Sequence, residues 1–97
     1  MNLLKQVVDF LELAKEEPQL GPTHISLYLS IVFVCYQQGE DIRGTAKRKC
    51  LMNHAKIFSV STYHKCMKEL CALGYVRYKP SFDPLKGSII WLRKISI

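Results

Sequence analysis

Apolar side chains recur at helical spacing in the first 40 residues and predict two helices there. One stripe indicates an amphipathic helix over residues 2–16, and its members are Leu4, Val7, Leu11 and Ala14. Proline and glycine between positions 18 and 22 interrupt the pattern. The next helix is expected to begin at a Thr23 cap and to run to about residue 38, where Gly39 ends it. It is apolar on most sides, which favours a central, buried position.

The second half of the chain predicts two shorter helices. Residues 47–54 form the first, and Ile57 and Phe58 are expected to hold the two helices together from the turn between them. The second covers residues 59–73, and Ser59 is a good N-cap for it because its hydroxyl can accept a hydrogen bond from a backbone N–H of the first turn. The apolar stripe of this helix consists of Tyr63, Met67, Leu70 and Leu73.

Strands are predicted after Gly74, which suits the left-handed position that ends a helix. Residues 75–79 and 88–95 are rich in β-branched and aromatic side chains, which favour strands. A turn-rich loop over residues 80–88 joins them, and a brief strand near Ile42 is the remaining element. From the second helix onward, the order of helices and strands is that of a winged helix-turn-helix.

This order predicts an α+β fold. We expect a winged helix-turn-helix with a three-helix core, a two-stranded wing and an additional N-terminal amphipathic helix. The chain then divides into residues 1–20, which either cover the core or form a dimer contact, and residues 21–97, the winged-helix domain. With 97 residues, the chain is long enough for one modest hydrophobic core.

Charge is distributed unevenly along the chain, whose formal net charge is +6. Residues 1–40 carry two Lys against five Asp and Glu, a balance of −3, whereas residues 41–97 carry twelve Lys and Arg against three acidic residues, a balance of +9. A basic half joined to an acidic half is the electrostatic pattern expected of a polyanion-binding face. Cationic surfaces also keep proteins in solution, so charge alone does not identify nucleic acid as the partner.

Other classes of protein are disfavoured by the sequence. The longest apolar run, residues 25–36, contains two serines and is shorter than the roughly 20 residues of a membrane span. Residues 1–15 lack the pattern of a secretory signal peptide, which predicts a cytoplasmic protein. The four cysteines form no C-x-x-C pair, so small core side chains are favoured over a zinc site. No cofactor, small-molecule ligand or catalytic group is expected.

The polar face of the helix over residues 59–73 carries the strongest functional prediction. In a helix-turn-helix, the N-terminal half of the second helix reaches base edges in the major groove. Lysine and hydroxyl groups suit phosphates and can also contact bases. Arginine, asparagine and glutamine are missing from this face, so only modest sequence discrimination is expected. The candidate DNA-binding residues of this helix are Ser59, Ser61, Thr62, His64, Lys65 and Lys68.

Two further basic clusters are expected to flank this helix. Lys47, Arg48 and Lys49 lie near the start of the preceding helix, where they would contact backbone phosphates beside the groove. Lys86 in the wing loop, with Lys79 and Arg77 on the strand that leads into it, would reach phosphates or the minor groove. The alternative for Lys65, Lys68 and the basic run at 47–49 is an ordinary solvated surface.

Apolar residues outside the predicted core indicate a second kind of partner. Phe82 and Leu85 in the wing loop either fold back on the core or mark a protein contact. Trp91 is expected against the core or the first helix, with an interface role as the alternative. The first helix has more apolar surface than a peripheral helix needs. It therefore either covers the core or pairs with a second copy, and a two-fold homodimer would present two recognition helices to a palindromic site.

Four segments resemble a known group of proteins. They are Pro-Thr-His-Ile-Ser-Leu-Tyr at 22–28, Ser-Thr-Tyr-His-Lys-Cys-Met-Lys-Glu-Leu at 61–70, Gly-Tyr-Val-Arg-Tyr at 74–78 and Pro-Ser-Phe-Asp-Pro-Leu-Lys-Gly-Ser at 80–88. Together they resemble small, largely uncharacterised bacterial winged-helix proteins that are often associated with mobile elements. The resemblance spans residues 20–92. It implies that residues 61–70 form the recognition helix, that residues 80–88 form the wing, and that the protein binds DNA.

The sequence therefore predicts sequence-dependent binding of double-stranded DNA by a transcriptional regulator or a mobile-element maintenance factor. The alternative is a protein–protein interaction module built on the winged-helix scaffold. Recognition of structured RNA is a weaker third hypothesis, and enzymatic activity is not expected.

Overall fold

The computed structural model describes residues 2–39, 42–81, 83 and 85–95, and within them the chain forms four helices and one three-stranded antiparallel sheet. The helices are α1 (Leu3–Ala14), α2 (Pro22–Gln37), α3 (Arg48–Ala55) and α4 (Val60–Ala72). The strands are β1 (Arg43–Ala46), β2 (Val76–Lys79) and β3 (Ser88–Leu92), in the order β1-β3-β2. This is a small α+β fold, compatible with the predicted winged helix but not specific to it.

The ends of two helices follow simple capping chemistry. Asn2 caps α1, because its Oδ1 accepts hydrogen bonds from two backbone N–H groups of the first turn. The predicted Ser59 cap of α4 is confirmed, since its Oγ accepts a hydrogen bond from the Thr62 N–H at 3.3 Å. Gly74 follows α4 with a φ of 86°, a left-handed conformation that glycine adopts without steric cost.

The predicted Thr23 cap of α2 is wrong. The helix begins at Pro22 with Gly21 as its N-cap, because proline has a preset φ and no N–H to leave unsatisfied at the first helical position. His24 accepts a hydrogen bond from the Gly21 N–H at its Nδ1, 3.0 Å away. Its Nε2 therefore carries the proton and donates to Oε1 of Glu69, at 3.1 Å. His24 thus fastens the start of α2 to α4.

The predicted central position of α2 is confirmed, because this helix packs against α1, α3, α4, β1 and β3. Its apolar run contains two serines that face α3. The Ser26 hydroxyl donates to the Ala55 carbonyl, and the Ser30 hydroxyl donates to the Leu51 carbonyl at 3.1 Å. Because both hydroxyls are paired, they join the two helices without leaving a buried polar atom unsatisfied.

One face of α1 covers the core. Phe10 is fully buried and stacks on Tyr28 of α2, with ring centroids 3.7 Å apart. Gln6 is buried beside them, and its Nε2 donates to the Tyr28 hydroxyl at 3.0 Å and to the Arg93 carbonyl at 2.7 Å. These contacts join α1 both to α2 and to the segment that follows β3.

We expect ionisation of the Tyr28 phenol to lower the free energy of unfolding at alkaline pH. Burial raises the pKa of its phenol from 10.0 to about 12. Because the folded-state pKa lies above the unfolded one, the contribution of Tyr28 is fully present below pH 10 and is lost as the pH rises towards 12. Replacing Tyr28 with phenylalanine keeps the ring stack and should make the free energy of unfolding depend less steeply on pH in this window. Urea unfolding across the window measures the slope, and an unchanged slope would contradict the assignment.

Two predicted core contacts are wrong. Ile57 is buried as predicted, but Phe58 is 91% exposed, because successive residues of an extended segment point to opposite sides. Trp91 is half-buried on the outer face of the sheet, where the Arg77 guanidinium carbon lies 4.8 Å from its ring centroid. Alternation along β3 explains this position, because the residues that turn towards the core are Ser88, Ile90 and Leu92.

Candidate nucleic-acid interface

The pairing of β1 with β3 brings the start of α3 next to the loop between β2 and β3. Ala46, the last residue of β1, is paired with Ser88, the first residue of β3. The chain that leaves β1 at Lys47 therefore runs beside the chain that enters β3 at Gly87. A Cβ at position 87 would lie only 2.7 to 2.9 Å from backbone atoms of Ala46. The absence of a side chain there permits the two segments to approach closely.

A groove of about 450 Å³ lies where these two segments meet α4, and we call it the basic groove. Ser81, Ser88 and Asp83 line part of this groove. Oδ1 of Asp83 accepts a hydrogen bond from the Leu85 N–H at 2.9 Å. Leu85, one of the two apolar residues of the wing loop, is 84% exposed. The other, Phe82, lies outside the described residues, and so does the prediction made for it. The basic side chains that line the basic groove are Lys47, Arg48, Lys49, His64 and Lys86.

The N-terminus of α3 adds to the positive potential of the basic groove. Its N-cap is Lys47, whose side chain makes no capping hydrogen bond, and its first turn contains no acidic residue. Backbone N–H groups at such a terminus, together with the positive end of the helix dipole, attract anions. Arg48 and Lys49 lie on this first turn and are exposed. The arrangement can therefore bind a phosphate group.

His64 reaches the basic groove from α4 and packs against Tyr63, with the two rings edge to face and their centroids 5.3 Å apart. Tyr63 is fully buried, and its hydroxyl has no hydrogen-bond partner within the described ranges. Burial, together with the neighbouring Tyr78 hydroxyl, raises the pKa of Tyr63. The Tyr78 hydroxyl donates instead to Ser88 Oγ at 3.2 Å. Tyr63 is therefore a neutral packing residue beneath the groove.

A second surface runs along α4. Ser61, Lys65 and Lys68 are exposed at i, i+4 and i+7, and we call them the α4 ridge. The remaining predicted residues of this helix, Ser59 and Thr62, line a separate recess of about 560 Å³ between the start of α4 and the start of α2. The predicted α4 residues thus occupy three neighbouring surfaces of one helix, of which the basic groove and the α4 ridge carry the charge.

The structure does not bring Lys79 to the basic groove. Lys79 is two residues beyond Arg77 on β2, so both side chains project from the outer face of the sheet. Arg43 on β1 is the cross-strand neighbour of Trp91 on this face. The sequence-based prediction assigned Arg77 and Lys79 to the wing and so missed this second basic surface. The alternation of apolar or aromatic with basic residues over 76–79 was the signal that could have found it.

The described residues contain no group of three or more His, Cys, Asp or Glu side chains that could hold a metal ion. Burial raises the pKa of the Cys66 and Cys71 thiols, which keeps them protonated and poorly nucleophilic. Cys50 Sγ lies 3.7 Å from His54 Nδ1, but that nitrogen is also 2.9 Å from the Cys50 carbonyl oxygen and so acts as a donor to the backbone. These thiols are small packing groups.

Two broader findings bear on the class of protein. Among the described helices, none has the length and apolar character needed to cross a membrane. Comparison with protein-family models, with curated proteins and with solved structures finds no match to this chain. The chemistry of its own surface is therefore the basis for assigning a function.

Proposed function

We propose that this protein binds double-stranded DNA as a winged helix-turn-helix. In this proposal α3 and α4 form the helix-turn-helix, the loop between β2 and β3 is the wing, and α4 lies in the major groove. One observation carries the proposal: Lys47, Arg48, Lys49, His64 and Lys86 come from three segments far apart in sequence and line a single groove beside α4.

The shape and spacing of these surfaces support duplex DNA over an isolated anion. With 13 residues, α4 is about 20 Å long, and the major groove, about 12 Å wide, admits one such helix. The α4 ridge would then face base edges and phosphates, while the basic groove would receive a phosphate of the flanking backbone. Lys47, Arg48 and Lys49 on one wall and Lys86 on the other would hold that phosphate from both sides.

The biological role that follows is DNA binding with modest sequence preference. The α4 ridge offers lysine and serine groups, which bind phosphates strongly and distinguish base pairs weakly. We propose that such a protein regulates transcription or maintains a mobile element. The second role is in keeping with the resemblance of its sequence to proteins associated with mobile elements.

Binding of the full chain to random-sequence duplex DNA, measured as a function of salt concentration, tests the proposal. We expect weak non-specific affinity at low salt and a linear fall of log K with log salt, because each lysine that neutralises a phosphate releases counterions. The matched control is a duplex RNA of the same sequence, whose deep and narrow major groove excludes a helix. No binding to duplex DNA at low salt, or tighter binding to RNA, would contradict the proposal.

A second candidate function, assembly with another protein, is favoured by α1. Its outward face carries an apolar stripe at i, i+4 and i+7, in which Leu4 is 73% exposed, Val8 is 51% exposed and Leu11 is 42% exposed. Exposed apolar patches of this kind mark protein contacts, and a second copy of the chain is the simplest partner. Absence of DNA binding, together with self-association that a Leu4→Glu variant abolishes, would favour this alternative.

A further inference from the structure

Two exposed apolar residues stand at the entrance to α4. Phe58 is 91% exposed and Val60 is 44% exposed, one on each side of the Ser59 cap. The Ser59 hydroxyl is engaged with the Thr62 N–H and lies 2.9 Å from Ser61 Oγ, which holds the start of the helix in place. The fold gains almost nothing from a phenyl ring in this position, because the ring remains in water.

The surroundings of this apolar pair indicate what it can bind. Lys56 precedes it in the turn, and Ser61 and Lys65 follow it on α4, all of them exposed. A partner that fits must therefore present anionic groups around a small apolar one. Phosphates that flank a thymine 5-methyl group in the major groove have this arrangement, and phenylalanine is among the side chains that make apolar contact with that methyl.

We propose that Phe58 and Val60 contact thymine 5-methyl groups and so favour A·T over G·C pairs. This inference rests on the proposed function, because it requires α4 to lie in the major groove. It adds a second source of sequence preference to the weak one of the α4 ridge. A phenyl ring forms no conventional hydrogen bonds, so this preference would come from apolar contact alone.

The test compares a short alternating A·T duplex with the same duplex in which uracil replaces every thymine. The two differ only in the 5-methyl groups, so phosphate contacts are the same for both. We expect the full chain to bind the thymine duplex tighter by about fourfold for each methyl that it contacts. In Phe58→Ala the ratio of the two affinities should fall towards one, while the salt dependence stays unchanged because no charge is lost.

Tyr36→Ala is the matched control. Tyr36 is another aromatic residue, 73% exposed, but it lies at the C-terminal end of α2, whereas Phe58 lies beside the first turn of that helix. This variant should retain the thymine preference, and Phe58→Leu should retain part of it. Both Phe58 variants are expected to unfold at the same urea concentration as the unaltered chain, because the ring is exposed.

The outcomes separate this inference from the function on which it rests. Failure to bind either duplex contradicts duplex binding itself. Equal affinity for the thymine and uracil duplexes leaves duplex binding standing and overturns the thymine contact. A preference for thymine that Phe58→Ala does not reduce would also overturn it, because Phe58 would then make no methyl contact.

Discussion

Replacing Lys65 and Lys68 together with alanine is expected to weaken binding to random duplex DNA on the order of tenfold at low salt, and to make the slope of log K against log salt shallower by about 1–2. Both lysines are exposed on the α4 ridge, so their removal should leave the fold intact. The loss should be similar for all sequences, because lysine at these positions is expected to neutralise phosphates. Equilibrium binding over a series of salt concentrations measures both quantities.

Two variants control for net charge. Lys5→Ala with Lys15→Ala removes the same two positive charges from α1, where each lysine is paired with an acidic residue on the same helix. We expect this variant to leave the slope nearly unchanged, because neither lysine lines the basic groove or belongs to the α4 ridge. Asp83→Asn removes a negative charge from the basic groove and should raise the affinity. If all three variants shifted affinity only in proportion to net charge, a localised interface on α4 would be excluded.

Replacing Gly87 with alanine is expected to lower the free energy of unfolding by about 3 kcal/mol, at the upper end of what overpacking costs. The new Cβ would lie 2.7 Å from the carbonyl carbon of Ala46, and 2.9 Å from both the backbone nitrogen and the carbonyl oxygen of Ala46. These are backbone atoms of a paired strand, so the strain cannot be relieved by a rotamer change. Either β1 separates from β3 at the Ala46–Ser88 pair, or the loop before β3 moves away. Urea denaturation monitored by circular dichroism measures the loss.

Gly39→Ala provides the comparison for Gly87. Gly39 has a φ of 71°, and a Cβ there would meet nothing within 4 Å. Its replacement therefore incurs only the backbone cost of a left-handed alanine, about 1 kcal/mol. A loss of stability for Gly87→Ala no larger than this would show that the segments on either side of the basic groove are not in close contact. If the Gly87→Ala variant remains folded, it should also bind DNA more weakly, because the two walls of the groove would separate.

Local signals predicted much of the fold, and their successes and failures have physical causes. Ser59 and Gly74 mark the start and the end of α4 as predicted, because each residue acts through its own backbone or through the adjacent turn. The start of α2 was predicted wrongly because a proline and a histidine ring took over the capping that Thr23 was expected to provide. A threonine hydroxyl is a common cap, but Pro22 was the signal in the sequence that could have placed the start earlier, since proline is favoured at the first helical position.

The candidate site could be predicted only as separate pieces. The exposed spacing of Lys65 and Lys68 follows from helical periodicity and needed no knowledge of the fold. The basic groove depends on the pairing of residue 46 with residue 88, a contact between distant segments that no local pattern encodes. Lys79 was assigned to the wing because it precedes the loop, whereas the pleat of β2 directs it to the other face of the sheet.

The strand order also determines when the protein can complete its fold during synthesis. β3 lies between β1 and β2, so neither of those strands has a sheet partner until β3 has left the ribosome. The four helices precede it and can pack earlier, with Lys47, Arg48 and Lys49 already displayed on the nascent chain. The opposing wall at Lys86 acquires its position only when β3 pairs with both neighbours. The proposed capture of a phosphate in the groove should therefore be one of the last properties that a newly made molecule gains.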